Sequence, residues 1–359
     1  MYKVFIWGTG NWGEKCFLDI LPDVDIVGFV ESRMSRKWFH GKQVIAGEEL
    51  AGYEYDYVIL ANTHEDEIEQ EFHTDPTKTL YYRQIPRPDG ARMFTYQITD
   101  QARRLMPYLS VECDGLKFLY NRTDFLMPDA MSFYKSTWSK AEMEFFWREA
   151  PRCDTGVFMD IGANIGTTSI YFKKKLANNL YYIAFEPVKE NFKVLKTNCI
   201  LNDCEDIVVE NLGISDSEGV MGLTVVEANY GGSRVTDKGK EQDFCQTMQL
   251  DTYIRENNIS PQEVSYIWMD IEGHEANAVA GARELLLRSN ASLFMEYNAA
   301  EYKACGKLAK VLDELCSIYR SFLCYEQYIA GMTQRRRISE LESLAGEMDW
   351  KQCNVLFMK

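Results

Sequence analysis

The plainest structural signal in the chain is Gly156-Val157-Phe158-Met159-Asp160-Ile161-Gly162-Ala163-Asn164-Ile165-Gly166, an apolar run that ends in a glycine-rich turn. A short apolar run bounded by turn residues is typical of a buried strand, and the spacing after the turn predicts a helix over residues 165–175. A second strand is predicted from Leu180 to Phe185, and a second helix from Lys189 to Cys199. This alternation predicts a parallel sheet covered by helices on both faces.

The alternation stops after Asp216 and resumes further along the chain. A hairpin is predicted from Gly222 to Val226 and from Ser233 to Thr236, around the turn Asn229-Tyr230-Gly231-Gly232. The later predicted elements are the strand 266–270, a helix over 275–287, the strand 292–297, a helix over 307–319, the strand 321–325 and a closing strand over 354–358. The closing strand is expected to run antiparallel to the others.

A shorter strand–helix series precedes this one. Strands are predicted at 3–7, 25–30, 57–61 and 80–82, with helices over 11–21 and 65–72. Pro86, Pro88 and Gly90 interrupt the pattern. We therefore expect an α/β protein with a Rossmann-like domain over residues 1–90, a connector over 91–154 and a doubly wound domain over 155–359. The connector carries an aromatic stretch near Trp138, for which a lid over a substrate pocket is the alternative.

Composition excludes several classes of protein. The formal net charge of −15, with 54 acidic against 39 basic residues, argues against nucleic acid as a partner. No stretch reaches the roughly 18 apolar residues that a membrane-spanning helix needs. The N-terminus is typical of a strand and not of a signal peptide. The ten cysteines are scattered and only four histidines are present, so we expect reduced thiols, no metal site and a cytoplasmic location.

The turn after the first strand predicts a site for the methyl donor S-adenosylmethionine. Gly162 lets the backbone approach a ligand, Gly166 allows close helix packing, and Asn164 lies between them. Asp160, at the strand end, is placed to accept a hydrogen bond from a cationic amine. Glu186 follows the next strand, where a carboxylate can accept from both hydroxyls of a ribose.

Four motifs together resemble the FkbM methyltransferases. They are Asp160-Ile161-Gly162-Ala163-Asn164-Ile165-Gly166, Phe185-Glu186-Pro187, Leu250-Asp251, and Met269-Asp270-Ile271-Glu272-Gly273-His274-Glu275 followed by Gly281. The resemblance covers about residues 155–300. It implies a class I methyltransferase sheet and transfer of a methyl group to a hydroxyl, with sugars and polyketide-type products among the substrates of the family.

Transfer to a hydroxyl needs a group that accepts the proton. The candidates follow the strand 266–270, because ligands bind at the carboxyl ends of parallel strands, and they are Asp270, Glu272 and His274. His274 suits proton transfer near neutral pH, and a structural histidine at the helix N-terminus is an equal alternative. Asp270 with Glu296 and Asn298 offers oxygen ligands for Mg²⁺, an alternative that we do not favour.

The first domain carries its own glycine motif. Gly8, Gly10 and Gly13 form a GxGxxG between a strand and a helix, and Glu31 follows the second strand. The unit resembles small domains that bind nucleotide sugars ahead of some sugar-modifying enzymes. A degenerate domain that serves packing or dimerisation is the alternative.

These features predict an S-adenosylmethionine-dependent O-methyltransferase. Its expected substrate is a small molecule or a glycan. The methyl group is expected on a sugar hydroxyl, in a glycan or in a nucleotide-sugar precursor. A methyltransferase-like binding module without turnover and a nicotinamide oxidoreductase acting through the first domain are the alternatives. The acceptor, the methylated position and the oligomeric state, including a homo-oligomer, stay open.

Overall fold

The chain forms two compact units in a computed structural model. The structure describes residues 2–10, 13–14, 16–17, 24–61, 68, 71–75, 78–86, 92–97, 108–121, 126–224, 233–236 and 244–359. The first unit comprises Met1–Leu109 with Asn121–Ala130, and the second comprises Ser110–Tyr120 with Met131–Lys359.

The first unit is built on a mostly parallel sheet. Its described strands are β1 (Tyr2–Trp7), β2 (Val24–Glu31), β3 (Trp38–Phe39), β4 (Lys42–Ala46), β5 (Tyr57–Leu60), β6 (Thr79–Pro86) and β7 (Arg92–Gln97). They lie in the order β3-β4-β2-β1-β5-β6-β7, and only the edge strands β3 and β7 pair antiparallel within this described part. β1 is central because its side chains, such as Ile6 and Trp7, are buried on both faces.

All four strands predicted for this unit are present, and each observed end lies within four residues of the predicted end. The sheet extends beyond them through β3, β4 and β7. The predicted helices over residues 11–21 and 65–72 lie mostly outside the described residues, as does the whole turn 229–232.

The second unit holds a larger sheet that confirms the predicted fold class. Its described strands are β10 (Val157–Ile161), β11 (Tyr181–Phe185), β12 (Val208–Glu210), β17 (Val264–Met269), β18 (Ser292–Tyr297), β19 (Ser321–Cys324), β20 (Arg336–Arg337) and β21 (Cys353–Met358). Their order is β12-β11-β10-β17-β18-β21-β19-β20. Strands β12 to β18 pair in parallel, and β21 runs antiparallel between β18 and β19. The carboxyl ends of β10, β11, β17 and β18 therefore meet at one edge.

The structure also gives the bounds of the α-helices that lie between residue 126 and the last strand. They are α1 (Leu126–Tyr134), α2 (Lys140–Glu149), α3 (Thr167–Tyr171), α4 (Lys189–Leu201), α5 (Leu250–Glu256), α6 (Glu275–Gly281), α7 (Arg283–Arg288), α8 (Ala299–Ala304), α9 (Leu308–Ile318), α10 (Tyr325–Ile329) and α11 (Leu341–Glu347), with a π-helical turn over Phe172–Leu176 after α3. None of the helices in the described residues is long and apolar enough to cross a membrane.

The helix predicted over 275–287 is instead two helices, α6 and α7. The break falls at Ala282, directly after Gly281. A side chain at Gly281 would overlap the carbonyl oxygen of Ser215, so the backbones pack closely here. Glycine is a weak helix former, which is consistent with a helix end at this point.

Two elements of the predicted connector pack within the second unit. The hairpin β8 (Tyr108–Cys113) and β9 (Leu116–Asn121) is held by two amide side chains, one in α4 and one directly after it. Asn198 and Asn202 each donate to and accept from the backbone of the hairpin, at Leu119 and Lys117 respectively. Helix α2 buries Phe146 in edge-on contact with five aromatic rings, those of Phe158, Phe172, Tyr266, Trp268 and Phe294. A lid role for the connector stays a prediction.

A small second sheet lies in the same unit. Its described strands are β13 (Gly213–Ile214), β14 (Gly219–Thr224), β15 (Arg234–Thr236) and β16 (Phe244–Met248), in the order β13-β16-β14-β15. Strands β14 and β15 pair antiparallel, with Leu223 opposite Val235, so the strands of the predicted hairpin are present.

Candidate active site

The end of β10 is organised by the carboxylate of Asp160. Its Oδ2 atom accepts the backbone N–H of Ser169 at 3.0 Å and also the hydroxyl of Ser169, which ties α3 to the strand end. The Oδ1 atom is buried and has no hydrogen-bond partner among the described residues. Burial raises the pKa of Asp160 to about 7. Ser169 therefore occupies the Oδ2 atom of this carboxylate, whereas the Oδ1 atom has no donor among the described residues.

The turn after β10 requires glycine for a steric reason. Gly162 has a φ of +88°, and a side chain there would overlap the carbonyl oxygen of Asp270, directly after β17. The close approach that Gly162 permits is thus to the neighbouring strand end, where the N–H of Asp270 also donates to the carbonyl of Ile161 at 3.0 Å. Gly166, with a φ of +93°, packs against the side chain of Leu195 on α4, as close helix packing requires.

Gly162→Ala is expected to lower the free energy of unfolding by about 3 kcal/mol, from the left-handed backbone and the overlap together. Gly306→Ala is a matched control, because Gly306 has a φ of +70° with open space around it and should show only the backbone cost of about 1–2 kcal/mol. Chemical denaturation of both variants measures the difference. Equal losses would show that the turn does not pack against β17 as described.

Glu186 stands at the end of β11 and faces the same turn. Its Oε2 atom accepts the N–H of Asn164 and its Oε1 atom accepts the N–H of Val188, each at 2.8 Å. The side chain is 4% exposed, and burial raises its pKa to about 7. The side chain of Asn191 also donates a hydrogen bond to this carboxylate. Since a carboxylate has about four acceptor sites, these three hydrogen bonds leave about one site open.

A cleft opens at this edge of the sheet. It brings together five of the predicted site residues: Gly162, Asn164, Glu186, Asp270 and His274. Asp160 and Gly166 do not line the cleft. Asp160 ties α3 to the end of β10, and Gly166 packs against α4. The other walls of the cleft were not predicted from the sequence, and they include Leu212, Ser233 and Val235 beside β13 and β15. The motifs carry no signal for these residues, because they reach the cleft only through the small sheet.

Asp270 follows β17 and presents its carboxylate to the cleft. Solvent reaches this side chain, but protein atoms surround it closely enough to raise its pKa. No described residue donates a hydrogen bond to it. Glu296, near the end of β18, is half-buried, and burial together with the neighbouring charge of Asp270 raises its pKa to about 9. Asp270 is the cleft carboxylate whose acceptor sites the described residues leave open.

His274 is engaged by the fold. Its ring is buried, at 8% exposure, and its Nε2 atom lies 2.9 Å from the hydroxyl of Ser215. The ring thereby connects the start of α6 to the loop after β13. The partner of this ring nitrogen is therefore a hydroxyl. The sequence contains no signal that pairs the two residues.

Two other acidic residues after β17, Glu272 and Glu275, do not line the cleft. Glu275 is fully buried and accepts hydrogen bonds from the N–H groups of Ile271 and Gly273, at 3.1 and 3.2 Å. Glu272 adopts a left-handed backbone with a φ of +53° and does not line the cleft. The loop conformation is therefore held by Glu275.

The geometry gives little support for a Mg²⁺ site formed by Asp270, Glu296 and Asn298. The side-chain oxygen of Asn298 accepts the N–H of Glu301 at 3.1 Å and so caps α8. This oxygen is thus already used by the fold, whereas Asp270 and Glu296 remain as two carboxylates near each other.

In the first unit, the glycine motif is only partly suited to a nucleotide. A side chain at Gly13 would overlap the carbonyl of Gly8, whereas the space above Gly10 is open. Glu31 accepts hydrogen bonds from Thr9 and from the N–H and hydroxyl of Ser35, the latter two at 2.6 and 2.8 Å. The carboxylate expected to hold a ribose is thus occupied by its own domain. Nucleotide binding by this unit stays a prediction.

Strand order, the glycine turn after β10 and the acid after β11 define the second unit as a class I methyltransferase domain. Residues 160–328 match the family model described as "Methyltransferase FkbM domain", and residues 1–74 match "C2185-like, N-terminal". The chain therefore contains a methyltransferase domain of the FkbM family.

Two fungal proteins and one bacterial structure are similar to the chain. "Methyltransferase sdnD" of Sordaria araneosa is 30% identical over 132 residues, which are 34% of this chain and 50% of that protein. "Methyltransferase 1" of Beauveria bassiana (strain ARSEF 2860) is 26% identical over 123 residues, or 32% and 49% of the two chains. The match thus spans about half the length of these relatives. The methyltransferase FkbM from Methylobacillus flagellatus KT has 15% identity and a TM-score of 0.37, over 99% of this chain and 90% of that one.

Proposed function

We propose that the chain transfers a methyl group from S-adenosylmethionine to a hydroxyl group of a sugar, in a glycan or a nucleotide-sugar precursor. The observation that carries the proposal is the cleft in which the carboxylates of Glu186 and Asp270 face the same glycine turn. One carboxylate is suited to hold the donor, and the other is suited to act on the acceptor.

The residues present fit the donor. Glu186 lines the cleft and retains acceptor capacity beyond its bonds to Asn164, Val188 and Asn191, which suits a hydroxyl of a ribose. Asp160 retains a buried oxygen without a partner among the described residues, but it does not line the cleft, so its contact with the cationic amine of the donor stays a prediction. Bound S-adenosylmethionine supplies a methyl group that is already activated by its positive sulfur, so the protein contributes chiefly position and proton transfer.

Asp270 is the group we assign to the acceptor proton. It lies at the carboxyl end of β17, it lines the cleft, and its raised pKa makes it a better proton acceptor than an ordinary aspartate. His274 also lines the cleft, but its bond to Ser215 favours a role in positioning the loop. Glu272 lies off the cleft and is the weakest of the three candidates.

The experiment that tests this function uses the full chain with methyl-labelled S-adenosylmethionine and a panel of glycans and nucleotide sugars. We expect label on a sugar hydroxyl, located by mass spectrometry, and no transfer to the same sugars lacking that hydroxyl. Donor binding without transfer to any sugar, phenol or amine would favour the binding-module alternative. Transfer to an amine or phenol alone would contradict the proposed acceptor.

A further inference from the structure

Three potential metal ligands meet at a place that the proposed methyl transfer does not use. They are Cys324, Glu326 and Cys353, whose ligand atoms all lie within 4.8 Å of one another. In the part of the chain that the structure describes, no other three histidine, cysteine or acidic side chains converge in this way. We propose that these three residues form a binding site for a single Zn²⁺ ion.

The topology of the sheet creates this cluster. Cys324 is the last residue of β19 and Cys353 is the first residue of β21, and the two strands are antiparallel neighbours, with Cys324 opposite Val355. Residues two apart on a strand share a face, so the two thiols lie on the same side of the sheet. Glu326 stands in the first turn of α10, directly after β19. The site therefore lies at a strand end, on well-packed elements.

The carboxylate of Glu326 is held in place before any ion binds. Both of its oxygens accept the N–H of Asn354, at 3.1 and 3.0 Å, and its Oε2 atom also accepts the thiol of Cys324 at 3.3 Å. Hydrogen bonds of this kind orient metal ligands and strengthen binding. Glu326 thus faces Cys324 in a fixed orientation.

The separation of Cys324 and Glu326 suits a tetrahedral zinc site. Zinc bonds of about 2.3 Å to sulfur and about 2.0 Å to oxygen place two such ligands about 3.5 Å apart in a tetrahedron. The observed separation of 3.3 Å between the sulfur of Cys324 and the oxygen of Glu326 is close to that value. Three protein ligands leave the fourth position for water.

The chemistry of the ligands selects zinc among common divalent ions. Thiolates are soft ligands that Mg²⁺ and Ca²⁺ avoid, whereas zinc accepts sulfur and carboxylate oxygen together. Cys324 and Cys353 are each 2% exposed, so the two sulfur ligands are shielded from bulk solvent. The half-buried carboxylate of Glu142 adds negative charge that faces Glu326 from α2. A divalent cation would neutralise this charge, and its binding would release the thiol protons to solvent.

The site is independent of the proposed methyl transfer, and its test needs no substrate. The full chain is purified with a phosphine reductant, incubated with Zn²⁺ and dialysed, and its metal content is measured by mass spectrometry. We expect about one zinc per chain. Titration with Co²⁺ should produce the thiolate-to-cobalt charge-transfer absorption of a tetrahedral site with sulfur ligands.

Cys324→Ser and Cys353→Ser should each weaken Zn²⁺ binding by more than the roughly 10–100-fold expected from loss of an outer partner. Cys199→Ser is the matched control, because Cys199 is an equally buried thiol on α4, outside the cluster. Circular dichroism checks that each variant is folded, and Glu326→Gln replaces any serine variant that is not. Substoichiometric zinc in the wild type, cobalt spectra without charge transfer, or a Cys324–Cys353 disulfide after purification in reductant would each overturn the proposal.

Discussion

Replacing Glu186 with alanine is expected to weaken binding of S-adenosylmethionine by about 10- to 100-fold, because a hydrogen bond to a charged group contributes about 1.5–3 kcal/mol. The side chain of Glu186 is buried at the end of β11 and lines the cleft. Calorimetric titration of the full chain measures the change. Glu190→Ala is the matched control, since Glu190 lies close by on α4 and forms a surface ion pair with Lys193.

The affinity for the donor should also depend on pH through the same group. Burial raises the pKa of Glu186 to about 7, so the carboxyl is mostly neutral at pH 6 and mostly charged at pH 8. Because the charged form is the stronger acceptor, affinity should rise as the pH increases across this range. Glu186→Gln should reduce the rise. An alanine variant with unchanged affinity and the wild-type pH dependence would place the donor elsewhere.

Replacing Asp270 with asparagine is expected to lower the rate of methyl transfer by about 10²- to 10⁴-fold, the usual contribution of a general base. The substitution preserves the shape of the side chain but removes its capacity to take a proton. Donor affinity should stay within a few-fold of the wild type, because the proposed contact of the donor is with Glu186. Single-turnover kinetics with labelled donor and the identified sugar separate the two effects.

The neighbouring candidates provide the controls for this assignment. Glu272→Gln should leave the rate almost unchanged, since Glu272 lies off the cleft. His274→Asn should lower both donor affinity and stability, because it breaks the contact with Ser215 that joins α6 to the loop after β13. A large loss of rate in His274→Asn at unchanged donor affinity, with little loss in Asp270→Asn, would assign the proton to the histidine instead.

Local sequence patterns were sufficient for the fold class and for much of the cleft. A strand of five buried residues, Val157–Ile161, followed by glycines with positive φ, has few alternatives to a strand–turn–helix unit. Glu186 and Asp270 could be placed beside this turn because the carboxyl ends of parallel strands meet at one edge. These inferences depend on residues close together in the chain, where periodicity and turn chemistry act.

Local sequence patterns could not predict contacts between segments that are far apart in the chain. The pairing of His274 with Ser215, the second wall of the cleft at Val235 and the meeting of Cys324 with Cys353 all depend on which strands become neighbours and in what register. Register follows from the packing of the whole sheet, since a shift of one residue would turn each side chain to the other face. The sequence therefore shows which side chains have reactive chemistry near the first turn, and the packed sheet determines which of them remain open to a ligand.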